Sequence, residues 1–158
     1  MPSSRPTARG VALTVILAAG TVATQSPAAG AASDTRQERA AAVAVAVAKD
    51  QVGDVYRYGA TGPNAFDCSG LAQYAWRKAG VRLPRVASSQ YRALRVKVAW
   101  SDIKPGDLLF FWRFGHVGVY VGGGQIVHAP REGSRVRVDK LSQDWLKRAF
   151  SGAGRPGL

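Results

Sequence analysis

Three consecutive glycines, Gly122-Gly123-Gly124, separate two short β-type runs, His116 to Val121 and Gln125 to Ala129, and nothing else in the chain constrains its folding as tightly. Glycine accepts the positive φ of a tight turn and the flanking runs are rich in valine, so the segment predicts an antiparallel hairpin. Each arm carries one of the only 2 histidines of the chain, His116 and His128. If all three glycines form the loop, Val121 faces Gln125 and His128 faces Gly118. His116 is then a diagonal neighbour of His128 on the same face, within reach of its ring. A two-residue loop would move the register by one and put the histidines on opposite faces. Gly118 leaves the space between the rings free of a side chain.

The remaining elements follow from periodicity and turn chemistry. A turn at Ile103-Lys104-Pro105-Gly106-Asp107 precedes the strand-like run Leu108 to Trp112, and Arg135 to Val138 adds another strand to the meander. Residues 34–52, with charged ends and an Ala/Val centre, predict a helix stopped by Gly53, although Val43, Val45 and Val47 alternate as in a strand. Asp67 has the side chain to cap a helix that runs to Gly80, with Cys68, Leu71, Ala72, Ala75 and Ala79 on its buried face. A short helix is expected around Ser88 to Leu94 and a terminal one at Leu141 to Phe150, followed by a frayed tail over 151–158. Tyr74, Trp76, Phe110, Phe111, Trp112 and Trp145 read as core aromatics. With 158 residues and 46% hydrophobic composition, one compact globular domain is expected, in which the meander of antiparallel strands packs against helices.

Cys68 is the 1 cysteine of the chain, so an internal disulfide is excluded. At the start of a helix its thiolate would be stabilised by unpaired N–H groups, which can also hold an oxyanion formed at an attacked carbonyl. Cys68 as nucleophile, one histidine as base and the other as its orienting group is the pattern of a catalytic triad. Three readings compete with it: a buried structural thiol with two structural histidines, a three-ligand zinc site, and a binding module without turnover.

Residues 1–32 have the three-part pattern of a secretory signal peptide: Arg5 and Arg9, an apolar run from Val11 to Ala19, and small residues before a cleavage point near Ala31 or Ala32. The run is shorter than the ~20 residues that span a bilayer, so no stable membrane anchor is expected. Export to the cell surface is the expectation. The chain carries 22 Lys and Arg against 10 Asp and Glu, so it stays strongly basic after loss of Arg5 and Arg9. For an exported protein such charge favours anionic wall polymers over nucleic acid, and no nucleic-acid-reading motif is present.

Tyr56-Arg57-Tyr58-Gly59-Ala60-Thr61-Gly62-Pro63-Asn64-Ala65-Phe66-Asp67-Cys68-Ser69-Gly70-Leu71, Leu83-Pro84-Arg85, Lys104-Pro105-Gly106-Asp107-Leu108, Gly115-His116-Val117-Gly118-Val119-Tyr120-Val121 and Val127-His128-Ala129-Pro130 together resemble the NlpC family of bacterial cell-wall cysteine endopeptidases. The resemblance covers about residues 40–145 and implies a papain-like α+β domain, bounded at 33–150, that needs no metal or organic cofactor; a monomer is expected because nothing in the sequence suggests an obligate partner. It implies that Cys68 attacks, that His116 serves as general base and then acid, that His128 orients His116, and that the Tyr56 hydroxyl assists at the oxyanion. Asp67 and Ser69 are expected to shape the turn or touch substrate, and Arg85 reads either as a free surface cation or as a partner for a substrate carboxylate. The implied substrate is a peptidoglycan stem peptide, cut between the side-chain carboxyl of D-glutamate and a diamino acid such as meso-diaminopimelate. Amidase cleavage at the sugar-linked end of the stem and acyl transfer to an amine would use the same residues. Ala60, where a second glycine is common, and Val86-Ala87, where Thr-Ser is common, depart from the family pattern.

Overall fold

The computed structural model describes residues 27–158. The expected signal peptide therefore lies outside the described residues, apart from 27–32, which open the first helix. The elements in chain order are α1 (Pro27–Asp50), β1 (Val55–Tyr56), β2 (Ala65–Phe66), α2 (Cys68–Lys78), α3 (Ala87–Ala93), β3 (Val96–Val98), a 3-10 turn (Trp100–Asp102), β4 (Leu108–Phe111), β5 (His116–Gly122), β6 (Gln125–His128), β7 (Arg137–Lys140), α4 (Asp144–Ala149) and β8 (Phe150–Arg155). Among the described residues no helix is long and apolar enough to cross a membrane.

A six-stranded sheet in the order β3-β8-β4-β5-β6-β7, antiparallel at every pairing, forms the centre. One face, through Leu108, Phe110, Val117, Val119 and Val127, joins the α1 and α2 side chains in the larger core. The other face, through Leu109, Phe111, Ile126 and Ala153, closes on Leu141 and Leu146. In α1 the alternating valines do not decide the outcome: Ala41, Ala44 and Ala48 form the buried helical stripe, while Val43 is 44% exposed. Alanine at these positions lets α1 approach closely, and a Cβ on Gly106 would lie 2.5 Å from that of Ala41.

The histidine hairpin keeps the expected register by a different route. Val119 pairs with Val127 and Tyr120 with Ile126, which continues to Gly118 opposite His128. The turn itself contains only Gly123 and Gly124, both at positive φ (59° and 70°), as a type I′ turn requires. Gly122 pairs with Gln125, and a bulge at Val121 restores the register that sets both histidines on one face.

The C-terminal expectation is corrected. Residues 151–158 are not a flexible tail, because Phe150–Arg155 form β8, held between β3 and β4. Ala153 is buried there, and a Cβ on Gly154 would come within 2.6 Å of Leu94. Small residues in this strand admit the side chains above it, so its Gly/Ser composition reflects close packing rather than fraying. The terminal helix is correspondingly short, Asp144–Ala149.

Candidate active site

Cys68 is the first residue of α2, and Asp67 caps that helix by accepting the Gly70 N–H at 2.7 Å. The approach of the preceding loop requires glycine at position 70, since a Cβ there would lie 2.1 Å from the Ala60 carbonyl oxygen. Asp67 also accepts from the Gly59 N–H at 2.9 Å and from both terminal nitrogens of Arg85, at 3.0 and 2.5 Å. Arg85 donates in addition to Ser69 Oγ at 2.9 Å. The three residues expected at the substrate thus form one hydrogen-bonded ionic cluster beside Cys68. Burial alone would raise the Asp67 carboxyl, but the Arg85 guanidinium and the Gly70 and Gly59 N–H groups hold it below the usual carboxylate range.

A cavity of about 400 Å³ opens here, lined by Tyr56, Asp67, Cys68, Ser69, Arg85 and the departing pair Val86 and Ala87, among others. Tyr58, which the sequence did not single out, is 85% exposed and lines the same cavity. Burial raises the Tyr56 hydroxyl above its ordinary value, with the nearby Cys68 and Asp67 adding to the rise.

The sulfur is neutral at rest. Burial pushes the Cys68 thiol above its ordinary value and the Asp67 charge adds to this, outweighing the N–H groups of Val117 and Ser69 directed at the sulfur. The helix start alone therefore does not deliver a standing thiolate, contrary to the sequence expectation. The Val117 contact ties Cys68 to the first residues of β5, directly after His116.

The two histidines meet: His116 Nε2 lies 2.8 Å from His128 Nδ1. Because Gly118 has no side chain, the space between the arms stays open, and a Cβ there would stand 3.1 Å from Ile126 and 3.4 Å from His128. Burial, with His128 adjacent, lowers His116 from 6.5 to about 3. Burial also lowers His128, and the partly compensating interaction comes from Asp139.

Asp139 and Arg137 were missed. His128 Nε2 lies 2.9 Å from Asp139 Oδ2, and Arg137 donates to the same oxygen through Nε at 3.1 Å and through a terminal nitrogen at 3.0 Å. Cross-strand register carries the signal, since β7 pairs Arg137 with His128 and Asp139 with Ile126. The expected strand ended at Val138, one residue short. Trp112 also departs from expectation: it is 53% exposed, stacks on Trp145 at 5.5 Å and makes a T-shaped contact with His116. Trp76, Phe110 and Phe111 are buried as expected. Among the described residues no group of three or more His, Cys, Asp and Glu side chains is arranged to hold a metal ion.

Residues 53–155 match the model of the NlpC/P60 family. The chain belongs to that family. Among curated relatives, Murein DD-endopeptidase MepH of Escherichia coli is 38% identical over 133 residues, covering 78% of this chain and 49% of the relative. Probable endopeptidase p60 of Listeria monocytogenes is 40% identical over 114 residues, covering 70% of this chain and 23% of the relative. The chain thus spans about half the length of the first and about a quarter of the second. Among solved structures, NlpC2 from Trichomonas vaginalis matches with TM-score 0.68 and 31% identity over 74% of this chain and 46% of that one. The α+β architecture is therefore the papain-like domain of the NlpC/P60 family, with Cys68 at its helix start and His116 and His128 on its sheet.

Proposed function

We propose that the protein is an exported cysteine endopeptidase that hydrolyses an amide bond in peptidoglycan stem peptides. The observation that carries this reading is the capped start of α2, where Cys68 meets the Val117 N–H beside hydrogen-bonded His116 and His128. A binding module has no need of that arrangement, and the endopeptidase names of the relatives support the same class of reaction.

The reaction starts from a neutral thiol and a neutral imidazole. Nε2 of His116 is engaged by His128, which leaves Nδ1 to take the Cys68 proton as the sulfur attacks the scissile carbonyl. The first-turn N–H of Cys68 and the Tyr56 hydroxyl stabilise the oxyanion. His116 then gives its proton to the leaving amine, which departs and leaves a thioester on Cys68. Water, deprotonated by His116, attacks the thioester, releases a carboxylate and restores the thiol. No step draws on a metal or organic cofactor.

Substrate enters the cavity beside Asp67, Ser69 and Arg85. Arg85, 35% exposed on its side chain although held by Asp67, offers its outward face to a stem-peptide carboxylate. The scissile bond is the D-γ-glutamyl to diamino-acid link. The name of MepH points to a second bond, between D-configured residues. Export rests on the leader pattern of residues 1–32, and the basic surface favours retention by anionic wall polymers.

Mass spectrometry of peptidoglycan treated with the exported protein and with Cys68→Ala tests this reading. Fragments one water heavier at the glutamyl bond, absent with the variant, are the expected result, together with a mature N-terminus after Ala31 or Ala32. Cleavage only between D-residues would transfer the assignment to the second bond. Absence of any Cys68-dependent product would overturn the hydrolase reading.

A further inference from the structure

We propose that Asp139 is a fourth, positioning residue of the site, which fixes the protons of both histidines so that His116 presents a bare Nδ1 to Cys68. The inference rests on the hydrolase reading for its consequence and on hydrogen-bond valence for its content. The Asp139 carboxylate is ionised: burial opposes this, but the His128 contact and the Arg137 guanidinium hold it below the usual range. An ionised carboxylate only accepts, so the 2.9 Å contact requires a proton on His128 Nε2. Neutral His128 then has a bare Nδ1, which accepts at 2.8 Å from a proton on His116 Nε2. Neutral His116 is left with its lone pair on Nδ1. The carboxylate thus sets, through two rings, which nitrogen is the base.

Burial makes this ordering strict. His128 is fully buried and His116 is 6% exposed, so water does not compete for either ring. The charged groups at the pair are few: Asp139 and Arg137 on β7, with the neutral indole of Trp145 stacked near His128 from α4. Arg137 contributes by holding Oδ2 in place, since its donors demand an acceptor there. The same carboxylate stabilises the imidazolium formed when His116 takes the Cys68 proton. That proton then passes to the leaving amine, so Asp139 keeps its charge throughout.

Long-range ¹H–¹⁵N correlation spectra of the intact protein read the tautomers directly, without substrate. Protonated Nε2 and bare Nδ1 on both His116 and His128 are expected at neutral pH, and protonated Nδ1 on His128 would overturn the proposal. Asp139→Ala should mix the His128 tautomers and lower kcat on the order of 100-fold with KM within about twofold. Asp139→Asn keeps an oxygen that Arg137 draws toward His128, so it should retain the Nε2–H form and lose only about tenfold. Equal loss in both variants, or full activity in Asp139→Ala, would overturn the proposal. If the protein cleaves no wall peptide, alkylation of Cys68 by iodoacetamide replaces turnover. Slower alkylation in Asp139→Ala, with Asp139→Asn near wild type, supports the proposal, and equal rates in all three overturn it. The spectra and alkylation thus separate failure of this inference from failure of the hydrolase reading.

Discussion

The two halves of the site are built by opposite means. On the Cys68 side, Asp67, Ser69 and Arg85 form a charged cluster at the wall of an open cavity, and Arg85 keeps 35% of its side chain in solvent. On the histidine side, His116, His128 and Asp139 are buried, in a line of contacts of 2.8 and 2.9 Å. The first side holds a helix start in place and tolerates water. The second excludes water, and that exclusion keeps its imidazoles neutral and defines their protons. In the proposed reaction, a thiol and a base that are both neutral at rest transfer their proton only when substrate arrives.

The sharpest way to break the Cys68 side is Gly70→Ala. The new Cβ would meet a backbone carbonyl oxygen, that of Ala60, at 2.1 Å, and neither partner can turn aside as a flexible side-chain end would. Either the loop before α2 moves out or the helix start shifts, and both displace Cys68 from the Val117 N–H. The expected cost is about 3 kcal/mol in denaturant unfolding, at the upper end for overpacking, with loss of most activity. Wild-type stability would refute this account of the close approach.

Acid should separate the halves. The folded protein holds His116 at about 3, against 6.5 for an ordinary histidine. Between those values the unfolded chain binds a proton that the fold refuses, so stability falls as pH falls from about 6.5 toward about 3. The slope is up to about 1.4 kcal/mol per pH unit from this group, and His128, also lowered, acts with the same sign. Asp67 and Asp139, both held below the ordinary 3.8, add their losses only at lower pH. Urea unfolding at pH 7, 6 and 5 should show the decline, and His116→Gln should flatten it. An unchanged slope in that variant would assign the effect elsewhere.

How much of this was legible depended on how local the signal was. The Asp67 cap, the start of α2 at Cys68 and the single-face histidines follow from short-range chemistry, and all are present. Register survived although the turn differs, because the Val121 bulge adds the residue that the shorter glycine turn lacks. What stayed hidden is decided by contacts between distant segments. Residues 151–158 resemble a tail in sequence, yet Phe150–Arg155 fills the gap between β3 and β4, where Leu94 leaves no room for a Cβ on Gly154. Asp139 lies 11 residues from His128 and becomes its partner only through the pairing of β6 with β7. Arg85 looks like a free cation in sequence, and its engagement by Asp67 depends on a fold that joins positions 18 apart.

The smallest expected effect comes from the lid of the histidine side. Trp112, Arg113 and Phe114 all have positive φ, at 47°, 56° and 68°, a costly run for residues with side chains. The run turns the indole of Trp112 over Trp145 and into a T-shaped contact with His116. Because Trp112 remains 53% exposed, Trp112→Ala removes little buried area, and the left-handed backbone costs alanine about as much as tryptophan. A stability loss of about 1 kcal/mol is therefore expected. The effect on chemistry has a definite direction: water reaching His116 weakens the burial that depresses it, so its protonation moves back toward the ordinary value. The acid limb of kcat/KM should then shift to higher pH with little change on the plateau. An acid limb that stays in place would show that Trp112 is not what keeps His116 dry, and would leave that task to Phe111 and the sheet itself.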